Sequence, residues 1–501
     1  MRWSELQVPF GPPAGSDPEV GGVVYDSRRA GPDLIFVAIA GTHVDGHDYV
    51  ATALHGGAVA AVVERAVPDA PSGRQVVVTD SRVALARLAA AIERHPSRQL
   101  QVVGVTGTDG KTTTSTLLHA ALSECLGPVG SLTTVDFRIG SEILPNLTRQ
   151  TTLEAPEVQR LLRQMVDQGC RAVVLEATSH SLVLHRLDEV AFQGAVFTNV
   201  THDHLDFHGS WERYLEAKAS LLDRAAATGG FAVLNRDDQR AFGPMRERWN
   251  GPLLTYSARG DHSADLVAES VLPDDRGLSF RAQTPAGPVA VRLRMAGRWN
   301  VGNALAALAA GILLGQAPEA LAEGLSRLEA VPGRMQRVDR GQPFSVVVDY
   351  AHTPAALSLA LHELRSATPG RLWVVFGSAG ERDLAKRAEM GRIAAQLADQ
   401  VVVTSEDPRG EDPESIIEQI WQGAIDGGAM PGDNLHREVD RSAAIQLAVG
   451  SALIGDTVLL AGKGHEHSIL GPEGPVPWDE GAEAESALMR REGAWKRRPT
   501  S

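Results

Sequence analysis

The sequence predicts an α/β protein of three domains in series, built on parallel or mixed sheets. Three observations predict it. Short apolar runs alternate with helix-length runs, a glycine-rich turn joins one strand to one helix near residue 107, and polar clusters follow several apolar runs. Strands alternating with helices pair in parallel through right-handed crossovers. Ligands in such sheets bind beyond the carboxyl ends of the strands. At 501 residues the chain has room for about three domains of ~150 residues, each with its own core.

The first block, 1–98, carries apolar runs at Leu34 to Ala38, Ala58 to Val63 and Gln75 to Val78, then an Ala/Leu-rich helix at Val83 to Ile92. His95-Pro96-Ser97-Arg98 breaks the pattern. The second block, 99–332, opens on a strand at Gln101 to Val105 and a helix at Thr112 to Cys125. Strands follow at Ala172 to Leu175, Ala195 to Phe197 and Phe231 to Leu234, with helices at Glu157 to Asp167 and Trp211 to Leu222. Val331-Pro332-Gly333 reads as a linker to the third block, 333–501, whose strands are Ser345 to Val348, Leu372 to Phe376, Val401 to Val403 and Thr457 to Leu460.

Composition narrows the function. With 43% hydrophobic and 22% charged residues the chain is globular, and a net charge of −14 argues against a general binder of nucleic acid or acidic membranes. Anionic substrates would need local basic pockets. Cys125 and Cys170 form no spaced ligand pair, which fits a reducing cytoplasm. The first residues lack a signal-peptide pattern and no run reaches the ~20 apolar residues of a membrane span.

Gly104-Val105-Thr106-Gly107-Thr108-Asp109-Gly110-Lys111-Thr112-Thr113-Thr114 is the most specific stretch. Glycines let backbone N–H groups converge on phosphate oxygens, and the following helix adds its dipole. Lys111 supplies a charge for the outer phosphates, and Thr112 or Thr113 a hydroxyl for Mg²⁺. The common phosphate loop has glycine where Val105 stands, so the spacing is a variant. The expected ligand is ATP or a close relative.

Four polar clusters follow strands: Glu176 to His180, Thr198 to Asp206, Asp349 to Pro354 and Gly462 to Glu466. Glu176 suits a Mg²⁺ ligand, since hard cations favour carboxylate oxygens; its bland alternative is an acid at a helix start. His202, Asp203, His204 and Asp206 lack the spacing of a zinc site, and a single member near ATP and Mg²⁺ is the better reading. Lys218, in Tyr214-Leu215-Glu216-Ala217-Lys218, has nothing local that separates it from a solvated helix lysine.

These motifs, with Asn300-Val301-Gly302-Asn303-Ala304 and Gly333-Arg334-Met335, resemble the Mur ligases. Val348 to Pro354 and Ala461 to Glu466 are similar to UDP-N-acetylmuramoyl-tripeptide synthetases, which add the third residue of the peptidoglycan stem peptide. The resemblance runs from about Asp26 to Glu466. It implies a UDP-binding N-terminal domain, a central phosphate-loop ATPase domain and a C-terminal Rossmann-like domain that admits the amino acid.

It further implies residue roles. Ser27, Thr42, His43 and Val44 would contact the uridine diphosphate of UDP-MurNAc-L-Ala-D-Glu, with Thr151, Thr152, Thr178 and Arg186 holding its remainder. Leu184 stands where many relatives have glutamine. Gly107, Thr108, Asp109, Gly110, Lys111, Thr112 and Thr113 would take the triphosphate, Asn303 and Arg334 the adenine and its neighbours, and Asp349 the ribose. Lys218 corresponds to a lysine carbamylated to N6-carboxylysine, a Mg²⁺ ligand, with Thr112, Glu176 and His204 in the same metal shell. Lys111, His204, Lys218, Arg334 and His352 would be catalytic, and closure of the segments bearing Arg334 and His352 is expected to gate the second step. A cytoplasmic monomer is implied.

The amino acid is expected to meet Arg382, Glu406, Asp407 and Arg409, with Gly462 and Glu466 on its common end. Where relatives using meso-diaminopimelate read Asp-Asn-Pro-Arg, this chain reads Glu406-Asp407-Pro408-Arg409. Asp407 is expected to repel a distal carboxylate and draw a side-chain ammonium. At about 4 Å that is roughly 1–4 kcal/mol, which favours L-lysine or L-ornithine over meso-diaminopimelate. The alternative has Arg409, with Arg382, decide for a carboxylate. More remote alternatives are a folylpolyglutamate synthetase and a nucleotide switch without ligase activity.

Overall fold

The computed structural model describes every residue except Thr42, His43, Arg149, His202, Asp275, Arg276 and 496–501, and only the backbone of Leu205, Asp206, Asp274 and 492–495. The chain divides into two compact units. The first comprises Met1–Ser270, Phe280–Val291 and Gly302–Leu325; the second comprises Val271–Ser279, Arg292–Val301 and Ser326–Ser501.

In the first unit, strands Gly22–Val24, Leu34–Val37, Ala60–Val63 and Gln75–Val77 form a parallel sheet in that order. Helix Ser81–Ile92 follows, begun by Asp80, whose carboxylate accepts from the N–H groups of Arg82 and Val83. Ala86 and Ala89 of this helix pack on Ala155, the first residue of helix Ala155–Asp167. The N-terminal sheet is thereby tied to the larger one.

The core of the larger sheet runs in the order Leu253–Ser257, Phe231–Asn235, Phe192–Phe197, Gln101–Thr106, Ala172–Glu176, Val129–Leu132, all parallel. Its strands are buried on both faces, which is why they read as continuous apolar runs (Val102, Val103 and Val105 have no exposure). An antiparallel hairpin, Asp136–Ile139 with Glu142–Pro145, extends the edge beyond Val129–Leu132. The chain leaves Ala172–Glu176 on one side of Gln101–Thr106 and enters Phe192–Phe197 on the other. That change of direction opens a crevice at the carboxyl end of Gln101–Thr106.

The second unit is doubly wound. Its sheet runs Gln336–Arg337, Ser345–Asp349, Thr457–Ala461, Leu372–Phe376, Gln400–Val403, Leu435–Arg437, with only the first strand antiparallel. Val347, Val374 and Val401 face helices Pro354–Ala367, Ala385–Leu397 and Pro413–Asp426. Val346, Val348 and Val375 turn to helices Arg441–Ser451 and Glu480–Trp495. This period of two follows from the pleat. The loops after four adjacent parallel strands, beginning at Tyr350, Gly377, Thr404 and Gly462, therefore emerge at one end of the sheet.

Candidate functional site

Each unit carries a polar constellation at the carboxyl ends of its strands. In the first, the loop from Gly107 to Gly110 connects strand Gln101–Thr106 to helix Lys111–Leu126. Gly107 (φ 151°) and Gly110 (φ 83°) admit no side chain. A Cβ would stand 1.8 Å from Thr198 Oγ1 at the first and 2.5 Å from Asn303 Oδ1 at the second. The segment after Phe192–Phe197 holds the loop open. Thr108 N donates to Asn199 O (2.7 Å), Asp109 N to Asn199 Oδ1 (2.9 Å), and Thr198 Oγ1 to Asp109 O (2.6 Å). Lys111 Nζ turns back onto Thr108 O (2.8 Å) and Gly107 O (3.1 Å).

Behind the loop lies an all-oxygen cluster. Glu176 is fully buried; Oε2 accepts from Thr112 Oγ1 (3.2 Å) and Thr134 Oγ1 (3.0 Å), and Oε1 from Thr134 N (2.8 Å). One carboxylate with two hydroxyls suits Mg²⁺, a hard cation that keeps waters and phosphate oxygens as its other ligands. Among the described residues no group of three or more His, Cys, Asp or Glu side chains could hold a metal. Thr152 Oγ1 donates to Glu176 O (2.8 Å), and Arg186 donates to Thr152 O (3.0 Å) while pairing with Glu154 (2.6 Å). Thr178 starts helix Ser179–Val183 beside them.

Lys218, 1% exposed, projects from helix Trp211–Ala226 onto Gly107 O (2.6 Å) and over the Tyr214 ring. Burial, reinforced by the Lys111 charge, pushes its pKa well below the usual amine range. The neutral amine is thereby favoured. His204 is exposed, with its ring 4.9 Å from that of His180. Ser27 opens the turn Ser27–Arg29, which Asp26 caps, and Val44 is exposed. Thr42, His43 and His202 lie outside the described residues, as does the side chain of Asp206.

In the second unit, Asp349 accepts from Met335 N (2.8 Å) and Ala351 N (2.9 Å), and burial raises its pKa against the pull of Arg334. The Arg334 guanidinium lies over the Tyr350 ring. His352 Nδ1 meets Tyr350 O (2.8 Å); burial, with Lys386 adding to it, lowers its pKa. Lys386 Nζ donates to His352 O (3.0 Å).

Asp407 requires a correction. It is 4% exposed, and Oδ1 accepts from Lys463 Nζ (2.8 Å) and Leu470 N (2.8 Å). Lys463, fully buried, also donates to Glu466 Oε2. The charge of Asp407 is met inside the protein, so the expectation that it draws a substrate ammonium loses its basis. It does not face solvent either. Arg409 is half-buried beside it and Arg382 is exposed.

Lys386 and Thr134 lie outside the sequence motifs, whereas Lys463, Asn199 and Tyr214 lie within them without an assigned role. A compositional signal was available for the lysines. Only five of the 48 Lys and Arg residues are lysine: Lys111, Lys218, Lys386, Lys463 and Lys496. The four described lysines all stand in these two constellations.

Comparisons with known proteins give the family. Residues 19–93 match the Mur ligase family catalytic domain, 105–311 the Mur ligase middle domain, and 333–464 the glutamate ligase domain of Mur ligases. A UDP-N-acetylmuramyl-tripeptide synthetase of Roseiflexus sp. (strain RS-1) is 48% identical over 492 residues, covering 94% of this chain and 95% of the relative. The chain belongs to the Mur ligase family. A second UDP-N-acetylmuramyl-tripeptide synthetase, of Deinococcus radiodurans, is 42% identical over 98% of this Mur ligase and 100% of its own length. A solved structure of a UDP-N-acetylmuramoyl-L-alanyl-D-glutamate–2,6-diaminopimelate ligase superposes with a TM-score of 0.67 at 32% identity, covering 98% of this Mur ligase and 99% of that chain.

Proposed function

We propose that this Mur ligase is a UDP-N-acetylmuramoyl-tripeptide synthetase. It joins an amino acid to the D-Glu carboxylate of UDP-MurNAc-L-Ala-D-Glu with cleavage of ATP to ADP and phosphate. One observation carries the reading: the phosphate loop, the buried Glu176 carboxylate and the sealed Lys218 amine converge on one strand end of a chain in this family.

In the first unit the loop N–H groups and Lys111 bind the triphosphate, with Lys111 exchanging Thr108 O and Gly107 O for phosphate oxygens. Thr112 and Glu176 would hold Mg²⁺, with His204 and a carbamylated Lys218 as further ligands. When bound, that ion neutralises charge on the transferring phosphoryl group. A low amine pKa suits Lys218 to carbamylation, because the neutral amine is the form that adds CO₂. Thr152, Thr178 and Arg186 orient the peptidyl end of the nucleotide-sugar. Its D-Glu carboxylate attacks the γ-phosphate, giving an acyl phosphate and ADP.

The second unit supplies the amine. Arg409, Gly462 and Glu466 form its amino-acid cradle, and Arg334 and Asp349 of the same unit are its expected nucleoside contacts. Among the described residues no helix is long and apolar enough to cross a membrane; a cytoplasmic monomer acting on soluble substrates is the accompanying reading.

The amino acid is a diamine, L-lysine or L-ornithine in the first reading. The pairing of Asp407 with Lys463 favours the second, meso-diaminopimelate, because Arg409 and Arg382 then remain to meet a distal carboxylate. ADP release with ATP, Mg²⁺, the nucleotide-sugar and each amino acid in turn decides. Turnover with lysine or ornithine alone supports the first reading, and turnover with diaminopimelate alone the second. Release independent of any amino acid sinks the ligase assignment.

A further inference from the structure

Arg441 begins helix Arg441–Ser451 in the second unit, yet its guanidinium is buried and the substrate-binding roles leave it unexplained. It pairs with Glu480, the first residue of helix Glu480–Trp495. Nε meets both carboxylate oxygens (3.2 and 3.0 Å) and Nη2 meets Oε1 (2.6 Å). Trp478 Nε1 donates to Oε2 (2.6 Å). The remaining bonds of the guanidinium go to two backbone carbonyls: Nη2 donates to Ala461 O (2.8 Å) and Nη1 to Ser405 O (3.3 Å). Ala461 immediately precedes Gly462, and Ser405 immediately precedes Glu406. Those residues open the two loops expected to receive the amino acid. Strand Leu372–Phe376 lies between their parent strands, Thr457–Ala461 and Gln400–Val403, so no ladder bond joins them.

A buried ion pair is a weak source of stability, because apolar residues of similar volume often serve as well. The geometry gives a better reason for this one. The planar fork of arginine reaches a carboxylate and two further acceptors at once, which a lysine ammonium, a compact point charge, does not span. We propose that Arg441 is a positioning residue for the incoming amino acid. It fixes the spacing of the Ser405 and Ala461 carbonyls, and through them the two loops of the cradle, with Glu480 as its neutralising partner. This deepens the tripeptide-synthetase reading and rests on it. Arg441 acts through the backbone and needs no contact with substrate.

The surroundings suit the task. Lys463 Nζ on Asp407 Oδ1 (2.8 Å) joins the same two loops further from the strands, so they are tied at two levels. The loops also touch with little slack: a Cβ on Gly462 would stand 2.5 Å from Glu406 Oε2. The Arg441 charge opposes the burial that raises the Glu406 pKa, so the same side chain sets both the place and the charge of that acid. Spacing of this kind matters to ligation, because misplacing a reacting group by about 1 Å can cost roughly 100-fold in rate.

The test uses two variants of the full-length protein with ATP, Mg²⁺, the nucleotide-sugar and the amino acid that wild type accepts. Arg441→Met combined with Glu480→Gln removes both charges and leaves neither buried alone. Arg441→Lys keeps the ion pair and loses the fork. Each should raise KM for the amino acid about tenfold or more, the cost of losing hydrogen bonds from a charged group. KM for ATP and for the nucleotide-sugar should stay within about twofold. Acyl phosphate trapped by hydroxylamine, which the first step makes without the amino acid, should form within about threefold of wild type. A smaller rise in the amino-acid KM of either variant overturns the proposal. A parallel rise in all three KM values, loss of the trapped hydroxamate, or failure of both variants to fold also overturns it, since the role is then structural. If wild type forms no amide with any amino acid, the tripeptide-synthetase reading itself fails; wild-type ligation with unaffected variants sinks only the role of Arg441.

Discussion

At the scale of single residues, Lys218 shows how far local sequence reaches. Its helix reads as amphipathic with an unremarkable lysine. What distinguishes it, enclosure against Gly107 O and the Tyr214 ring, comes from chain segments more than 100 positions apart in one case. Lys218→Ala should reduce turnover at least 100-fold, with partial recovery on adding a short carboxylic acid that replaces the lost carbamate oxygens; normal unrescued ADP release would remove Lys218 from the site. Lys111→Ala should abolish amide formation while the fold, followed by circular dichroism, persists. Lys111 was legible because glycine spacing, helix start and lysine are all local. Asp407 was misread for the opposite reason: its partner, Lys463, is 56 positions away.

At the scale of elements, one ion pair braces the amino-acid loops. Arg387, fully buried at the start of helix Ala385–Leu397, forks onto Glu411 with bonds of 2.9 and 3.0 Å. Glu411 also accepts from Glu381 N, and Gly380 N donates to Asp407 O (2.8 Å). The segments carrying Arg382 and Arg409 are thus fixed to each other. Glu411→Gln should raise KM for the amino acid several-fold while KM for ATP stays within about twofold, a split that general destabilisation would not give. The pair, with the backbone bond, holds the Glu411 pKa down to about 2. Its stabilising effect is therefore present above the usual carboxylate pKa and lost as pH falls through about 2. Urea denaturation of wild type and variant should differ at pH 7 and converge near pH 2. The parallel strands were readable as apolar runs ending in polar clusters. The hairpin Asp136–Ile139 with Glu142–Pro145 was not, because Glu142–Pro145 is an exposed edge strand with no buried face to set a pattern.

At the scale of the whole molecule, residues 1–98 have their own sheet yet share a compact unit with the central segment. Ser97 Oγ donates to Glu189 O, and the alanine contact noted above adds to the tie. Alanine–alanine packing has no signature in composition. The stability of this unit should depend on acid through His119, buried in helix Lys111–Leu126 with Nε2 on Val129 O (3.1 Å). Burial lowers its pKa to about 4. Between the ordinary histidine value of about 6.5 and about 4, the unfolded chain takes up the proton first, so stability falls with pH by up to about 1.4 kcal/mol per unit. Thermal melts at pH 7.5, 6 and 5 should show this decline, flattened in His119→Gln; an unchanged slope would mean that other groups govern it.

The scarcity of lysine has a practical consequence. In most proteins an amine-selective acylating reagent marks dozens of surface positions and reports nothing about function. Here the targets are the N-terminus, Lys496 and four side chains, of which Lys218 and Lys463 are sealed. Acylation followed by peptide mass spectrometry therefore becomes a footprint of substrate occupancy, with Lys111 protected by nucleotide and Lys386 reporting on the amino-acid end.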